Sequence, residues 1–224
     1  MKILEKNRKF GKKNRAQVGI GTLIIFIAMI LVAAVAAGVL LKTSGSLQQK
    51  ATVTGEQAQK EVSTNIKVTN VVGYANTTGQ INALILTCQL ASGSGDVKYD
   101  DIVLTYQEGN DYVSGISYNG TLSLNDAITS ATHQAAANGS NQNDTDQAQF
   151  YIRELKVKSP DNTVLEPNEI IEIVYWIEKN DGTDIPLDPD DQFVLTIQPK
   201  AGQTTTVKKT APSVINQQYI TEWG

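Results

Sequence analysis

The feature of this sequence that most constrains its fold is a long apolar run from Val18 to Leu41. Thr22 supplies the only polar side chain in these 24 residues, and no charged residue occurs between Arg15 and Lys42. As a helix, the run would be about 36 Å long at about 1.5 Å per residue, more than the roughly 30 Å thickness of a bilayer's hydrocarbon core. The run is therefore long enough to span a membrane.

Charge is distributed unevenly on the two sides of this run. Seven of the 19 Lys and Arg residues lie in the first fifteen positions, where Glu5 is the only acidic residue. The remaining chain carries 12 basic and 22 acidic residues, a net charge of −10, against −4 for the whole chain. Basic residues directly before the run orient the head toward the cytoplasm and send the following residues across the membrane. Because the basic excess is confined to this head, nucleic-acid binding is excluded.

Three interpretations of the run are open: a secretory signal, a permanent anchor, or a leader cut on the cytoplasmic side of the run. A conventional secretory signal has an apolar region of about 7 to 15 residues, which is far shorter. Small residues are spaced four apart at Ala33 and Ala37 and again at Ala34 and Gly38. Such spacing lets helix backbones approach closely in the absence of water, so the helix is predicted to pack against copies of itself.

The same residues resemble a known family. The string QVGIGTLIIFIAM from Gln17 to Met29, after a Lys/Arg-rich head and before ILVAAVAAGVLL, closely resembles the N-terminus of archaeal flagellins, or archaellins. The resemblance implies a class III, prepilin-like leader that a membrane aspartyl peptidase removes on the cytoplasmic side. Carried onto this chain, Ala16 precedes the cut and Gln17 becomes the mature N-terminus. The implied recognition residues are Lys12, Lys13, Arg15 and Gly19.

The resemblance also implies a function and a set of partners. It identifies a structural subunit, not an enzyme, which polymerises with itself or with paralogous subunits into the archaeal flagellum, or archaellum, used for swimming. A prepilin-type signal peptidase, a motor and its membrane platform are the other implied partners. The precursor would sit transiently in the cytoplasmic membrane with its N-terminus in the cytoplasm, and the product would be an extracellular filament. Bacterial type IV pilins carry glutamate at the fifth mature position, where this chain has Gly21.

Removal of residues 1–16 has a physical consequence of its own. It discards a net side-chain charge of +6 that is costly to move into an apolar environment, and the helix end that is left has uncharged side chains and is free to leave the lipid for a protein bundle. Two alternatives stay open beside the filament subunit. They are a type IV pilin-like adhesion subunit and a membrane-anchored extracellular β-domain.

The chain is predicted to be an α+β protein with a leader at 1–16, a helical segment at 17–63 and an extracellular domain at 64–224. Beyond Lys42, apolar residues recur at three- to four-residue intervals and predict an amphipathic continuation of the helix. These residues are Leu47, Val53 or Thr54, Ala58 and Val62. Gly45 and Gly55 lower the helix propensity of this stretch.

The remaining residues favour strands. Runs rich in β-branched and aromatic residues, separated by Gly, Asn, Asp or Pro, occur at 66–75, 81–91, 102–107, 112–118, 148–158, 169–179, 192–198 and 203–209. Eight such strands predict an antiparallel, immunoglobulin-like β-sandwich. The polar stretch 126–147 is predicted to be a long loop. Four N-glycosylation sequons, expected on surface loops outside the cell, begin at Asn76, Asn119, Asn138 and Asn143.

Residues for catalysis or metal binding are few. Cys88 is the single cysteine and lies in an apolar run, so it is predicted to be a small buried hydrophobe, while His133 lies in a polar stretch. A single Cys and a single His supply neither a zinc ligand set nor a catalytic dyad. Asp100–Asp101 and the acidic segment 188–191 have oxygen ligands for a hard cation, but the pattern of an EF-hand is missing. No cofactor is expected.

Overall fold

The computed structural model describes residues 11–75, 79–124, 148–159, 162–180 and 182–224, with the backbone alone for 11–17. The chain divides into two compact units, one ending at Glu56 and the other comprising Gln57–Gly224. The described part of the first unit is helical, and the second unit contains the last two turns of the same helix together with a β-domain.

A single unbroken helix, α1, runs from Gly11 to Ser63 and has 53 residues. Proline is absent from this range, and its glycines do not interrupt the helix. The predicted continuation beyond Lys42 is helical as far as Ser63, and its amphipathic role stays a prediction. The helix also extends N-terminally past Gln17, so the predicted leader cut lies within α1 and not at a structural boundary.

In the described residues after the helix, eleven strands are present, all in the second unit. They are β1 (Ile66–Ala75), β2 (Ile81–Leu90), β3 (Val97–Lys98), β4 (Ile102–Glu108), β5 (Asp111–Leu122), β6 (Gln149–Lys156), β7 (Val164–Leu165), β8 (Ile170–Trp176), β9 (Gln192–Pro199), β10 (Thr205–Thr210) and β11 (Tyr219–Ile220). A short 3-10 helix, Tyr99–Asp101, precedes β4. All eight predicted strands are confirmed within a few residues. The three two-residue strands β3, β7 and β11 were not predicted, because two residues are too few to show an alternation of apolar and polar side chains.

The main sheet has nine strands in the order β10-β9-β4-β5-β6-β8-β2-β1-β11, and β3 and β7 form a separate pair. Among the strands that the structure describes, every pair is antiparallel apart from β5 and β6, which run parallel with Ser117 opposite Gln149. Parallel neighbours need a connection of a dozen or more residues, and 26 residues separate β5 from β6. The predicted antiparallel architecture is confirmed with this one departure, and the immunoglobulin-like topology stays a prediction.

One hydrophobic core is shared by strands from both ends of the sheet order. Leu104 of β4 and Leu195 of β9 belong to the same buried cluster as Leu86 of β2. The sheet therefore curls around its core, as two facing layers joined through β5 and β6. Cys88 lies in this core with no exposed surface, as predicted, and burial raises the pKa of its thiol.

Strand β2 is apolar on both faces. Leu84, Leu86 and Cys88 point into the main core, whereas Ala83 and Ile85 join a smaller buried cluster on the opposite face. The smaller cluster also includes Tyr74, Leu122, Tyr151, Val174 and Trp176. Its burial explains why residues 83–86 form a continuous apolar run instead of an alternating one.

The segment Tyr219–Gly224 lies between the two edges of the curled sheet. Its strand β11 pairs with β1, and the indole Nε1 of Trp223 donates to the carbonyl of Val71 at 2.9 Å. The Trp223 ring meets Phe193 of β9 edge-on at a centroid distance of 5.3 Å. The amide of Gly224 donates to the carbonyl of Thr210 at the end of β10, at 3.1 Å. Edge backbone groups that would otherwise be open to another strand are thus partly paired.

Candidate assembly site

The apolar run of α1 is uncovered in the described part of the chain. Every residue from Val18 to Leu41 is exposed, and none of the apolar window that qualifies α1 as a membrane span is buried. Contiguous exposed apolar surface of more than a few hundred Å² marks an interaction surface in a soluble protein. The surface of α1 therefore requires a partner, either lipid or protein.

The polar side chains at the two ends of the run are satisfied by the helix itself. The hydroxyl of Thr22 donates to the carbonyl of Gly19 at 3.0 Å. The hydroxyl of Thr43 donates to the carbonyls of Val39 and Leu40, each at 3.0 Å. Because these hydroxyls need no outside partner, the helix can enter an apolar environment without leaving a polar side chain unpaired.

The predicted packing residues share one side of α1. At about 100° per residue, Ala33, Ala34, Ala37 and Gly38 fall within an arc of about 140°. A Cβ added at Gly38 would have no atom within 4 Å, so the chain itself does not fill the space that this glycine leaves. The small residues therefore form a shallow strip open to a second helix.

The second half of α1 carries a matching apolar stripe. The stripe residues lie within about 80° of one another around the helix axis. They are Leu47, Ala51, Thr54, Ala58 and Val62. Since α1 is unbroken between Ala33 and Leu47, the register is continuous, and Ala33 lies on the same side as this stripe. Val53, which the sequence offered as an alternative to Thr54, lies outside it.

The predicted leader residues lie at the beginning of α1. Lys12, Lys13, Arg15, Ala16 and Gln17 are helical, and their side chains are outside the described part of the structure. Gly19 is exposed, with nothing within 4 Å of an added Cβ. Their role in leader recognition and cleavage stays a prediction.

Only one of the four predicted sequons lies in the described residues. Asn119 is half-buried within β5, not in a loop, and its side-chain amide donates to Gln149 Oε1 and, at 2.9 Å, to the Tyr151 hydroxyl. N-glycosylation at this nitrogen would replace one of these hydrogen bonds. Asn76, Asn138 and Asn143 lie outside the described residues, as does His133.

The two acidic segments make hydrogen bonds and ion pairs within the domain. Asp101 pairs with Lys200 at 3.4 Å. Asp188 accepts from the Gln80 amide at 2.6 Å, and Asp190 accepts from the Ser213 hydroxyl at 2.5 Å. Across the described ranges, no group of three or more His, Cys, Asp and Glu side chains is arranged to hold a metal ion. The absence of a cofactor stays a prediction.

One carboxyl group near these segments, that of Glu108, lies close to several other acidic side chains. Glu108 at the end of β4 accepts from the buried Tyr106 hydroxyl at 2.6 Å. Burial raises the pKa of the Glu108 carboxyl, and the charges of Asp191, Asp111 and Asp188 raise it further, against the opposing effect of the Tyr106 hydrogen bond. Ionisation of Glu108 is therefore less favourable in the folded domain than in the unfolded chain.

Sequence reasoning missed the residues that hold the end of α1. Ser94, Gly202 and Gln203 come from two turns distant in sequence and contact the chain between Val62 and Asn65. A glycine in the Lys-Ala-Gly-Gln sequence at 200–203 indicates a turn, but nothing in the sequence indicates what the turn touches.

Comparisons with known proteins cover both parts of the chain. Residues 16–209 match the family model described as archaeal-type flagellin. Flagellin A2 of Haloferax volcanii is 36% identical over 207 residues, which cover 89% of this chain and 90% of that protein. Flagellin A2 of Halobacterium salinarum is 32% identical over 198 residues, or 88% and 89% of the two chains. The similarity therefore extends well beyond the apolar run.

Two solved structures share the fold. Archaeal flagellin FlaB1 from Methanocaldococcus jannaschii matches with a TM-score of 0.57 and 15% identity, covering 71% of this chain and 97% of that one. The archaeal flagellum of Methanospirillum hungatei strain JF1 matches with a TM-score of 0.59 and 17% identity, covering 88% and 98%. A long N-terminal helix followed by a largely antiparallel β-domain is thereby confirmed.

Replacement of Glu108 by Gln should stabilise the domain at neutral pH. The raised pKa of Glu108 means that its ionisation destabilises the folded state, and Gln removes the charge but keeps an oxygen that accepts from Tyr106. The melting temperature of Glu108→Gln should exceed that of the natural chain at pH 7. The difference should vanish below about pH 4.3, where Glu is protonated in both states.

The exposed Glu222 provides the control, since Glu222→Gln should leave the melting temperature unchanged at both pH values. A Glu108→Gln protein that is less stable than the natural chain at neutral pH would contradict this assignment of the carboxyl's environment.

Proposed function

The chain belongs to the archaeal-type flagellin family, and on that premise we propose that it is a structural subunit that polymerises into the filament of an archaeal flagellum. The observation that carries the proposal is the unbroken apolar helix whose surface the described chain leaves uncovered. Outside a membrane, this apolar surface can be buried only against the same helix of other copies of the chain or of related subunits. No enzymatic role is proposed, because the family is structural.

The helices are proposed to form the centre of the filament. The strip of Ala33, Ala34, Ala37 and Gly38 would let neighbouring backbones approach to the short end of the usual interaxial range of about 8 to 10 Å. A contact between two different surfaces of the same subunit, repeated without closure, generates an open helical polymer. The β-domain, which carries the acidic excess and buries its own core, would form the outer wall.

Assembly is proposed to begin in the membrane. The basic residues of the head would hold the N-terminus in the cytoplasm while the β-domain is outside. The head's net charge of +6 would keep the helix in this position, because its transfer into an apolar bundle is costly. Cleavage between Ala16 and Gln17 by a prepilin-type signal peptidase would remove the charged side chains of the head and release the helix for assembly.

The finished filament is proposed to serve swimming. Rotation by a motor on its membrane platform would turn the filament, so motor and platform are the proposed partners besides the subunit itself and its paralogues. Sugars on the sequons at Asn76, Asn138 and Asn143 would face the medium, since these sites follow the helix on the exported side.

A bulky residue before the cut should block maturation. In an archaeal host that lacks its own flagellins, Ala16→Leu should leave the full-length precursor in the membrane, because the peptidase accepts a small residue there. The natural chain should give sheared surface material whose N-terminal residue is Gln17. Terminal peptide mass spectrometry on both fractions measures this.

Asn7→Leu places the same bulky side chain in the head away from the cut and should be processed normally. Surface material that begins at Gln17 in the Ala16→Leu strain would show that the cut lies elsewhere. A natural chain that keeps Met1 and stays in the membrane would contradict the filament subunit and favour an anchored domain.

A larger residue in the small-residue strip should impair assembly. Ala34→Leu adds bulk where two helices approach, so we expect processed subunits that remain in the membrane and few filaments by electron microscopy. Val39→Leu is the matched control, because Val39 faces the opposite side of α1. Equal filament yields from the two variants would mean that the strip does not face a neighbouring helix.

A further inference from the structure

The C-terminal end of α1 is capped by side chains from distant turns. The last carbonyls of a helix have no partner within it, and they commonly accept from the backbone amides that follow, where a glycine in the left-handed conformation turns the chain back. Here Thr64 follows Ser63. Gln203, in the β9–β10 turn, donates through Nε2 to the carbonyl of Val62 at 3.4 Å. Ser94, in the β2–β3 turn, donates through its hydroxyl to the carbonyl of Ser63 at 3.1 Å.

The backbone of Thr64 is held on both sides. Its amide donates to the carbonyl of Lys60 at 2.9 Å, as the helix requires, and its carbonyl accepts from the amide of Gln203 at 2.8 Å. Thr64 has only 3% of its surface exposed. The first residue beyond the helix is therefore part of the domain and not of a free linker.

Asn65, the second residue beyond the helix, is also held by hydrogen bonds to the domain. Its amide donates to the Ser94 hydroxyl at 3.0 Å, and its carbonyl accepts from the amide of Ala91 at 2.9 Å. Its side-chain oxygen accepts from the Thr205 hydroxyl at 3.0 Å. Because β1 begins at the next residue, Ile66, no unpaired backbone separates the helix from the sheet.

Gly202 allows this close approach. A Cβ at this position would lie 2.7 Å from the Thr64 carbonyl oxygen and 3.0 Å from Pro199 Cγ. Its φ of 150° also disfavours other residues. A side chain here would force the β9–β10 turn away from the end of α1 and break the hydrogen bonds of Gln203.

We propose that Ser94, Gly202 and Gln203 are positioning residues of a stiff joint, which fixes the β-domain relative to the last two turns of α1. A two-residue connection with free φ and ψ angles would let the domain swing on the helix end. Because the backbone groups of this connection are paired, the last two turns of α1 and the β-domain move together. The functional part of this inference rests on the proposed filament.

Distances between two spin labels test the joint directly. The labels are placed on Gln59→Cys in α1 and Ser114→Cys in β5, both exposed, in the full-length chain in detergent. Cys88 is fully buried and stays unlabelled. Pulsed electron paramagnetic resonance should give one narrow distance peak for the natural joint. Gly202→Ala should broaden or split the peak.

Gly120→Ala is the matched control, because Gly120 has a similar φ of 139° but nothing within 4 Å of an added Cβ. It should keep the narrow peak. A peak for Gly202→Ala as narrow as that of Gly120→Ala would overturn the joint. If Gly202→Ala melts without cooperativity, the double variant Ser94→Ala/Gln203→Ala is measured in its place. Its distance peak should be broader than that of the exposed control Gln198→Ala, and an equally narrow peak would overturn the joint.

The functional consequence has a separate readout. Cells with Ser94→Ala/Gln203→Ala subunits should make filaments from cleaved subunits but swim more slowly than cells with Gln198→Ala. Unchanged swimming with a broadened distance peak would overturn the mechanical role. Failure of the proposed filament function would appear differently, as a natural chain that never enters filaments while its distance peak stays narrow.

Discussion

The rest of this molecule depends on the apolar surface of α1, which nothing in the described chain covers. The backbone of the helix is satisfied internally, and its hydroxyls at Thr22 and Thr43 bond to its own carbonyls. Lipid and a bundle of like helices are therefore both acceptable surroundings for it, whereas water is not. The basic head would keep the helix in the membrane, because its charge is tolerated at a membrane surface and not in an apolar bundle. Cleavage of the head would thus convert a membrane helix into an assembly helix without a change in its fold.

The β-domain has to meet the opposite requirement, since it would face water both before and after the proposed assembly. Its curled sheet encloses one core, the residues 219–224 pair with both of its edges, and the acidic excess of the chain lies in this part. The connection between the two parts matters because their surroundings differ. Thr64 and Asn65 lead from the helix directly into the domain, so no free linker separates the last turn of α1 from β1.

The sequence predicted the elements of this fold better than their contacts. Helix α1, the eight longer strands and the burial of Cys88 follow from local composition and periodicity, which a single sequence records. The parallel pairing of β5 with β6 does not, because it depends on the path of the 26 residues between them. Asn119 carries a sequon that suggests a loop, yet its neighbours in β5 have enough strand propensity to place it in the sheet. The contacts of the joint could not be predicted for the same reason, since Ser94 and Gln203 lie 31 and 141 residues from their partners in the sequence.

In the finished filament, copies of α1 are proposed to cover one another. Electron cryomicroscopy of filaments sheared from cells tests it most directly, because it locates each helix relative to its neighbours. We expect residues 18–41 at the filament axis, chains that begin at Gln17, and neighbouring helices whose closest approach is at Ala33, Ala34, Ala37 and Gly38. Filaments in which residues 18–41 lie on the outer surface, or from which α1 is missing, would contradict it.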